Sequence, residues 1–210
     1  MVILAQEANS SMSQRKQWLF DRWAPSYDFL LPSVFYQAIH RRLLEYVQFS
    51  DHPVVLDLGC GTGRLLNRLA DHYPDLSGTG LDFSAEMLRQ ARRSNQHHPR
   101  LIFVQGNAEA LPFADQQFTD VFNTISFLHY PDPGSVLAEV RRVLQPGGRF
   151  YLADFTWKGR DREPCRVNLP GNIQFYNAQA REELGKQAQL QCLGHHYLLG
   201  LVLLTIFSRN

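Results

Sequence analysis

The stretch Val54-Val55-Leu56-Asp57-Leu58-Gly59-Cys60-Gly61-Thr62-Gly63 decides the fold. An apolar strand stops at an acid, and three glycines at alternate positions follow. Arg64-Leu65-Leu66-Asn67-Arg68-Leu69-Ala70 then carries its apolar residues at helical spacing. The order is strand, tight glycine turn, helix start. Without a Cβ, the glycines let a ligand approach the backbone. In an open α/β sheet, such a turn is where a nucleotide-like ligand binds.

The details of the glycine pattern choose among nucleotides. A dinucleotide fingerprint needs a third small residue for close helix–strand packing, and Arg64 occupies that place. A phosphate loop needs a Lys-Ser/Thr pair that this turn lacks. An acid just ahead of the turn repels phosphate and suits a ligand with an ammonium group.

Outward from this stretch, the 210 residues are enough for one domain with a full core. The apolar fraction is 44% and the charged fraction 20%, as in soluble globular proteins. A formal net charge of +1 gives no long-range pull toward nucleic acid or an anionic membrane. The pairs Arg41-Arg42, Arg92-Arg93 and Arg141-Arg142 read as solvated helix faces. Cys60, Cys165 and Cys192 match no zinc signature, so free thiols, no metal and a cytoplasmic setting are expected. Met1–Ala5 has no basic leader, and the late apolar run Tyr197 to Phe207 is about half a membrane span.

Strand and helix patterns alternate along the chain, which predicts a doubly wound, Rossmann-like, mostly parallel sheet. Residues 15–49 read as a helical lid and 51–154 as the cofactor-binding core. Strands are expected at Val54–Leu58, Gly78–Leu81, Leu101–Gln105, Thr119–Ile125 and Arg149–Asp154. Helices are expected from Ser84, as N-cap, and near Gly134–Leu144, with a sharp turn at Gln145-Pro146-Gly147-Gly148. Residues 155–177 read as an irregular substrate-side segment, and 178–210 as a last helix, Ala178–Gln189, and a strand hairpin, Gln191–Tyr197 and Leu201–Phe207. A short connection at Gly200 joins only antiparallel neighbours, so the expected sheet has seven strands with the last one antiparallel.

Polar residues recur at equivalent corners. Asp57, Asp82 and Asn107 are spaced by 25 residues each, and all follow strands. Asp82 lies nineteen residues beyond Gly63, where an acid accepts hydrogen bonds from both ribose hydroxyls. Phe83 is suited to lie on a purine. The Asn107 side chain and the Ala108 N–H suit the edge of a base. Asp57 and the glycine turn are left for a zwitterionic tail. Adenine, ribose and an amino-acid tail together describe S-adenosylmethionine. Taken singly, each residue is also a common cap, turn or core residue; their joint order distinguishes them.

At this point the sequence resembles the class I S-adenosylmethionine-dependent methyltransferases, and within them the ubiquinone/menaquinone-biosynthesis and broad small-molecule group. The resemblance rests on Val54–Gly63, Gly80–Met87 (GLDFSAEM), Gly106–Phe113 (GNAEALPF), Thr124–Phe127 (TISF), Arg142–Gly148 (RVLQPGG) and Phe20–Asp28 (FDRWAPSYD). It implies cofactor contacts at Asp57, Gly59, Gly61, Thr62, Asp82, Asn107, Ala108 and Ser126, with Tyr27 on the lid side. The product would be S-adenosylhomocysteine. The sequence departs from the quinone group in its short 155–178 segment and in Leu128-His129-Tyr130-Pro131 after TISF.

Methyl transfer needs the acceptor held in line with the methyl group. A base is needed only if the acceptor loses a proton, and His129, following the fourth strand, is the candidate. His195 and His196 are strand neighbours facing opposite sides, so they do not share a metal site. His97-His98 reads as a solvated loop. Trp18, Trp23, Tyr27, Tyr130, Phe155, Trp157 and Phe175 form an aromatic set for an apolar or ring-shaped small-molecule acceptor, methylated at carbon or oxygen. The alternatives are a protein that binds S-adenosylmethionine without turnover, acting as a regulatory or assembly partner, and a nicotinamide oxidoreductase. The chain lacks an Asn/Asp-Pro-Pro-Tyr/Phe motif and an added basic domain, so nucleic acid is not the expected substrate.

Overall fold

The computed structural model describes residues 30–157, 165–167 and 173–210. A helix α1 (Leu30–Leu44) precedes β1 (Val54–Leu58), α2 (Arg64–His72), β2 (Ser77–Asp82), α3 (Ala85–Ser94), β3 (Leu101–Gln105) and β4 (Phe118–Thr124). A one-turn 3₁₀ helix, Phe127–His129, leads to α4 (Pro133–Val143) and β5 (Leu144–Phe155). The strands β6 (Cys165–Val167) and β7 (Ile173–Phe175), α5 (Ala178–Gln187), β8 (Leu190–Leu199) and β9 (Val202–Arg209) follow.

Seven strands form one sheet in the order β3-β2-β1-β4-β5-β9-β8. β1 pairs in parallel with β2 and with β4, and β5 continues the parallel ladder from β4. β9 is antiparallel to both β5 and β8. The chain therefore winds outward in both directions from β1 and β4, and the crevice beyond their carboxyl ends is the switch point of an open sheet. This is the expected doubly wound sheet with its last strand reversed. Of the expected lid, residues 15–29 lie outside the described residues, as do Trp18, Trp23 and Tyr27.

Each face of the sheet buries its own core. α1, α2 and α3 cover one face through Ile39, Leu43, Leu65, Leu69 and Leu88, against Val55, Phe122 and Tyr151. α4 and α5 cover the other through Val136, Val140 and Ala180, against Leu56, Leu58 and Phe150. α3, α4 and α5 start on side-chain caps, while α2 starts at Gly63 without one. Ser84 Oγ accepts from Met87 N at 3.2 Å, and Asn177 Oδ1 accepts from Ala180 N at 2.8 Å. Asp132 Oδ1 accepts from Ser135 N at 3.1 Å, ahead of Pro133 in the first turn.

Several sequence expectations are corrected. Gln145–Gly148 does not precede β5 as a separate turn. It loops out within β5, as the register passes from Phe118↔Leu144 to Asp120↔Arg149. The segment 155–177 is not wholly irregular, because β6 and β7 pair antiparallel within it. α5 stops two residues before the expected end, at Gln187. Arg142 is not solvated: it donates to Phe113 O at 2.8 Å and Leu111 O at 3.0 Å, and pairs with Glu139 and Asp115. Arg92 is exposed as expected, though its guanidinium donates to Phe103 O at 2.8 Å. His97 is held rather than solvated, with Nε2 2.8 Å from Asp71 Oδ1 and Nδ1 3.1 Å from Arg100. His195 and His196 do face opposite sides: His196 lies against the Tyr46 ring at 4.3 Å, while His195 meets Glu182 of α5.

Candidate active site

The glycine turn is pinned to the end of β2. Gly59 N and Cys60 N both donate to Leu81 O, at 2.8 and 3.1 Å. Gly61 N donates to Asp82 Oδ2 at 2.8 Å, and Ser84 N donates to Asp82 Oδ1 at 2.8 Å. One carboxylate thus fixes both the turn after β1 and the start of α3, through charge-assisted bonds.

The turn needs glycine for two different reasons. Gly59 has φ +67°, and a Cβ built there would stand 2.4 Å from Ser126 Oγ. Gly61 has φ +52°, but a Cβ built there would meet no atom of the described residues within 4 Å, so among them its face of the turn is open. The first is a packing contact; the second leaves room for a guest against the backbone.

Beneath the turn lies a polar network that the sequence reading left out. Asn123 is fully buried in β4, and its Nδ2 donates to Leu58 O at 3.0 Å. The same nitrogen is 2.7 Å from Ser126 Oγ and 3.0 Å from Tyr130 Oη. Ser126 Oγ donates to Leu58 O at 3.1 Å. Ile125, just before Ser126, has φ +49°, a strained conformation for a β-branched residue. The network ties the end of β1 to the loop after β4. A lone amide in the apolar run Val121-Phe122-Asn123 was its sequence signal.

The electrostatics centre on Asp57. It is 1% exposed, and neither carboxylate oxygen has a hydrogen-bond partner among the described residues. Burial first, and then the Asp82 charge, push its pKa well above the usual carboxylate range. A positive group brought to this place would offset both effects. The Cys60 thiol is pushed up by the same burial and the same acids, which makes it inert as a nucleophile. The Tyr130 phenol is also raised, chiefly by burial.

Other expected site residues fall around this centre. Phe83 is 37% exposed at the tip of β2. Asn107 is exposed, with Oδ1 accepting from Glu109 N at 3.0 Å, while Ala108 is buried. Thr62 is buried within the turn. His129 closes the 3₁₀ turn after β4 and is half-buried. The Phe155 ring stacks on Phe35 of α1 at 5.9 Å, Trp157 is 54% exposed, and Phe175 is half-buried on β7.

The chain is similar to known proteins in sequence and in fold. Residues 55–148 match the methyltransferase domain family model. The chain is 33% identical over 172 residues to a demethylmenaquinone methyltransferase of Listeria welshimeri, covering 78% of this chain and 68% of that one. It belongs to the class I S-adenosylmethionine-dependent methyltransferases. A 2-phytyl-1,4-naphtoquinone methyltransferase of Thermosynechococcus vestitus is 35% identical to this family member over 67% of the chain, and a demethylmenaquinone methyltransferase of Chlorobaculum parvum is 34% identical over 65%. The chain spans 64% and 58% of the lengths of those two relatives. The fold matches a complex of a methyltransferase with the Haloferax volcanii Trm112 activator, with TM-score 0.78, 24% identity and coverage of 90% and 96%. It also matches an S-adenosylmethionine-dependent methyltransferase of Mesorhizobium loti, with TM-score 0.70, 14% identity and coverage of 82% and 98%.

Family membership implies S-adenosylmethionine, and this chain's residues fit it. A buried carboxylate without a partner among the described residues suits an ammonium, and the face of Gly61 that no described residue covers suits a close backbone contact. Asp82 is fixed at the β2 corner, with Phe83 exposed beside it.

Proposed function

We propose that this chain transfers a methyl group from S-adenosylmethionine to a small, apolar, quinone-like ring. The buried Asp57 carboxylate beside Asp82, at the open Gly61 turn, is the observation that carries the cofactor half. The acceptor half draws on the quinone methyltransferases among the relatives and on the aromatic side chains Tyr130, Phe155, Trp157 and Phe175.

In this reading Asp57 and the turn hold the amino-acid tail, and Asp82 accepts from the ribose hydroxyls. Phe83 lies on the base, with the Asn107 side chain and the Ala108 N–H at its edge. Ser126 positions the turn through Gly59 and Leu58, and Thr62 lies within the turn. When bound, S-adenosylmethionine supplies a methyl group on a positively charged sulfur, a good leaving group. The protein's task is then alignment and exclusion of water. His129 is the group available to take a proton from a reduced, hydroxylated ring, since an ordinary imidazole titrates near neutral pH. Trp18, Trp23 and Tyr27 belong to the proposed acceptor side by sequence alone.

Calorimetric titration with S-adenosylmethionine and S-adenosylhomocysteine, followed by assay on a demethylated naphthoquinol, tests the reading. Micromolar binding of both and a methylated product are expected. Absence of heat with both ligands overturns it, and binding without product on any quinol overturns the acceptor half.

A further inference from the structure

Away from the switch point, three side chains of different chemistry converge between α5 and β8. Glu182, Cys192 and His195 each offer one donor atom, all within 4.8 Å of one another. His195 Nε2 is 2.9 Å from Glu182 Oε1 and 3.7 Å from Cys192 Sγ. We propose that these three residues form a transition-metal site, with zinc as the natural occupant.

The geometry is close to what zinc requires. Tetrahedral coordination, with Zn–S of about 2.3 Å and Zn–N and Zn–O of about 2.0–2.2 Å, sets ligand atoms about 3.3–3.6 Å apart. The sulfur–nitrogen distance of 3.7 Å already matches, and the nitrogen–oxygen distance of 2.9 Å needs to widen slightly. Glu182 can supply that movement, because its side chain is 55% exposed. The other ring nitrogen of His195 lies 3.0 Å from Thr205 Oγ1 on β9. Donation from Nδ1–H to that hydroxyl leaves the Nε2 lone pair for a metal, the orientation that outer-shell partners impose in metal sites.

A fold feature creates the convergence. Cys192 and His195 are three apart, so a regular strand would send them to opposite faces. The β8–β9 register shifts between Cys192 and Gly194, so two residues oppose one and both side chains reach the α5 face. α5 can come close because Gly185 faces Phe207, where a Cβ would stand 2.3 Å from the ring. Glu182 and Cys192 also line an open cleft of about 710 Å³ with Arg141 and Lys186. The bland reading is a His195–Glu182 surface pair beside a passive thiol. It explains the 2.9 Å contact but not the thiol on the same nitrogen. This site was invisible in sequence, where the Cys and His spacing matches no zinc signature.

Binding replaces the Cys192 S–H bond by a sulfur–metal bond and releases the proton to buffer, with no change of oxidation state. Tag-free protein is titrated with Co²⁺, and the thiolate-to-cobalt charge-transfer band is followed, with Zn²⁺ as competitor. One equivalent of Co²⁺ is expected to produce the band, and one equivalent of Zn²⁺ to erase it. Cys192→Ser should abolish it, Glu182→Gln should weaken Co²⁺ binding at least tenfold, and Cys165→Ser should leave it intact. Circular dichroism checks that each variant is folded. No charge-transfer band in the parent protein, a band that survives in Cys192→Ser, or one lost in Cys165→Ser overturns the assignment.

Discussion

At Asp57 the chain buries a carboxyl group whose charged form burial and Asp82 both disfavour, in a place where no described residue compensates it. Its folded pKa lies above the unfolded value, so the unfolded chain holds fewer protons and stability falls as pH rises from the ordinary carboxylate range. Asp57→Asn keeps the shape and removes the charge. It is expected to raise stability at pH 7 and to weaken S-adenosylmethionine binding at the same time. Urea unfolding and calorimetry on the same sample check the two together; a variant that loses stability contradicts the assignment of strain to this carboxylate. Asp82→Ala, by contrast, removes the anchor of Gly61 and Ser84 as well as the ribose contact, and binding should fall by about 3 kcal/mol or more. His40 of α1 gives a pH effect of the opposite sign. Burial, then Arg68 and Arg64, push its pKa down to about 3, so it is buried neutral. Between its unfolded value near 6.5 and that folded value, the unfolded chain binds the extra proton, and stability is lost as pH falls. Going from pH 7 to 4.5, His40→Gln should lose about 2 kcal/mol less than the parent. Equal losses in urea titrations would show that His40 is not the titrating group.

Among the elements, α5 does more than cover a face. Arg181 is 1% exposed and donates to Leu203 O at 2.7 Å, Asp154 O at 3.0 Å, Tyr176 O at 3.2 Å and Phe155 O at 3.3 Å. It stitches the end of β5 to β9 and to the chain entering α5. Burial lowers its pKa to about 10, while burial raises that of nearby Asp154 to about 6, each opposed by the other's charge. Arg181→Met removes every donor and leaves several carbonyls buried. A loss of about 3–5 kcal/mol in unfolding free energy is expected, and Arg181→Lys should recover only part of it, since an ammonium cannot fan out to four carbonyls. A loss below about 1 kcal/mol in Arg181→Met would mean that water replaces the guanidinium. This network shows where sequence reading stops. β1 and β3 were legible to the residue, because apolar runs and flanking glycines are local signals. The places of Asp57 in β1 and Asp82 at the end of β2 were legible from spacing, and the turn at Gly61 from the glycine pattern. Arg181, Arg142 and Asn123 were not, because their meaning lies in carbonyls and hydroxyls contributed from distant strands. Asn107 and Ser126 were named from the sequence as candidate site positions, but their bonds within the protein were not legible there.

For the whole molecule, the sheet order places Asp57, the glycine turn, Asp82 and the loop after β4 around one crevice, so a ligand there touches segments from both halves of the sheet. S-adenosylhomocysteine at one hundred times its dissociation constant should add about 2.7 kcal/mol, or about 5–10 °C in melting temperature for a chain of this size. No shift under saturating ligand would detach the crevice from the proposed chemistry. The position of β9 has a consequence for the birth of the protein. Val202–Arg209 does not lie at a border of the sheet; it fills the slot between β5 and β8. On the ribosome, every earlier strand emerges while one flank of β5 still shows bare amides and carbonyls. Arg209 then caps Arg141 O at 2.8 Å and Arg142 O at 3.1 Å. Synthesis halted before residue 202 therefore leaves a sticky, half-zipped nascent chain, a ready client for chaperones until the closing strand slides in.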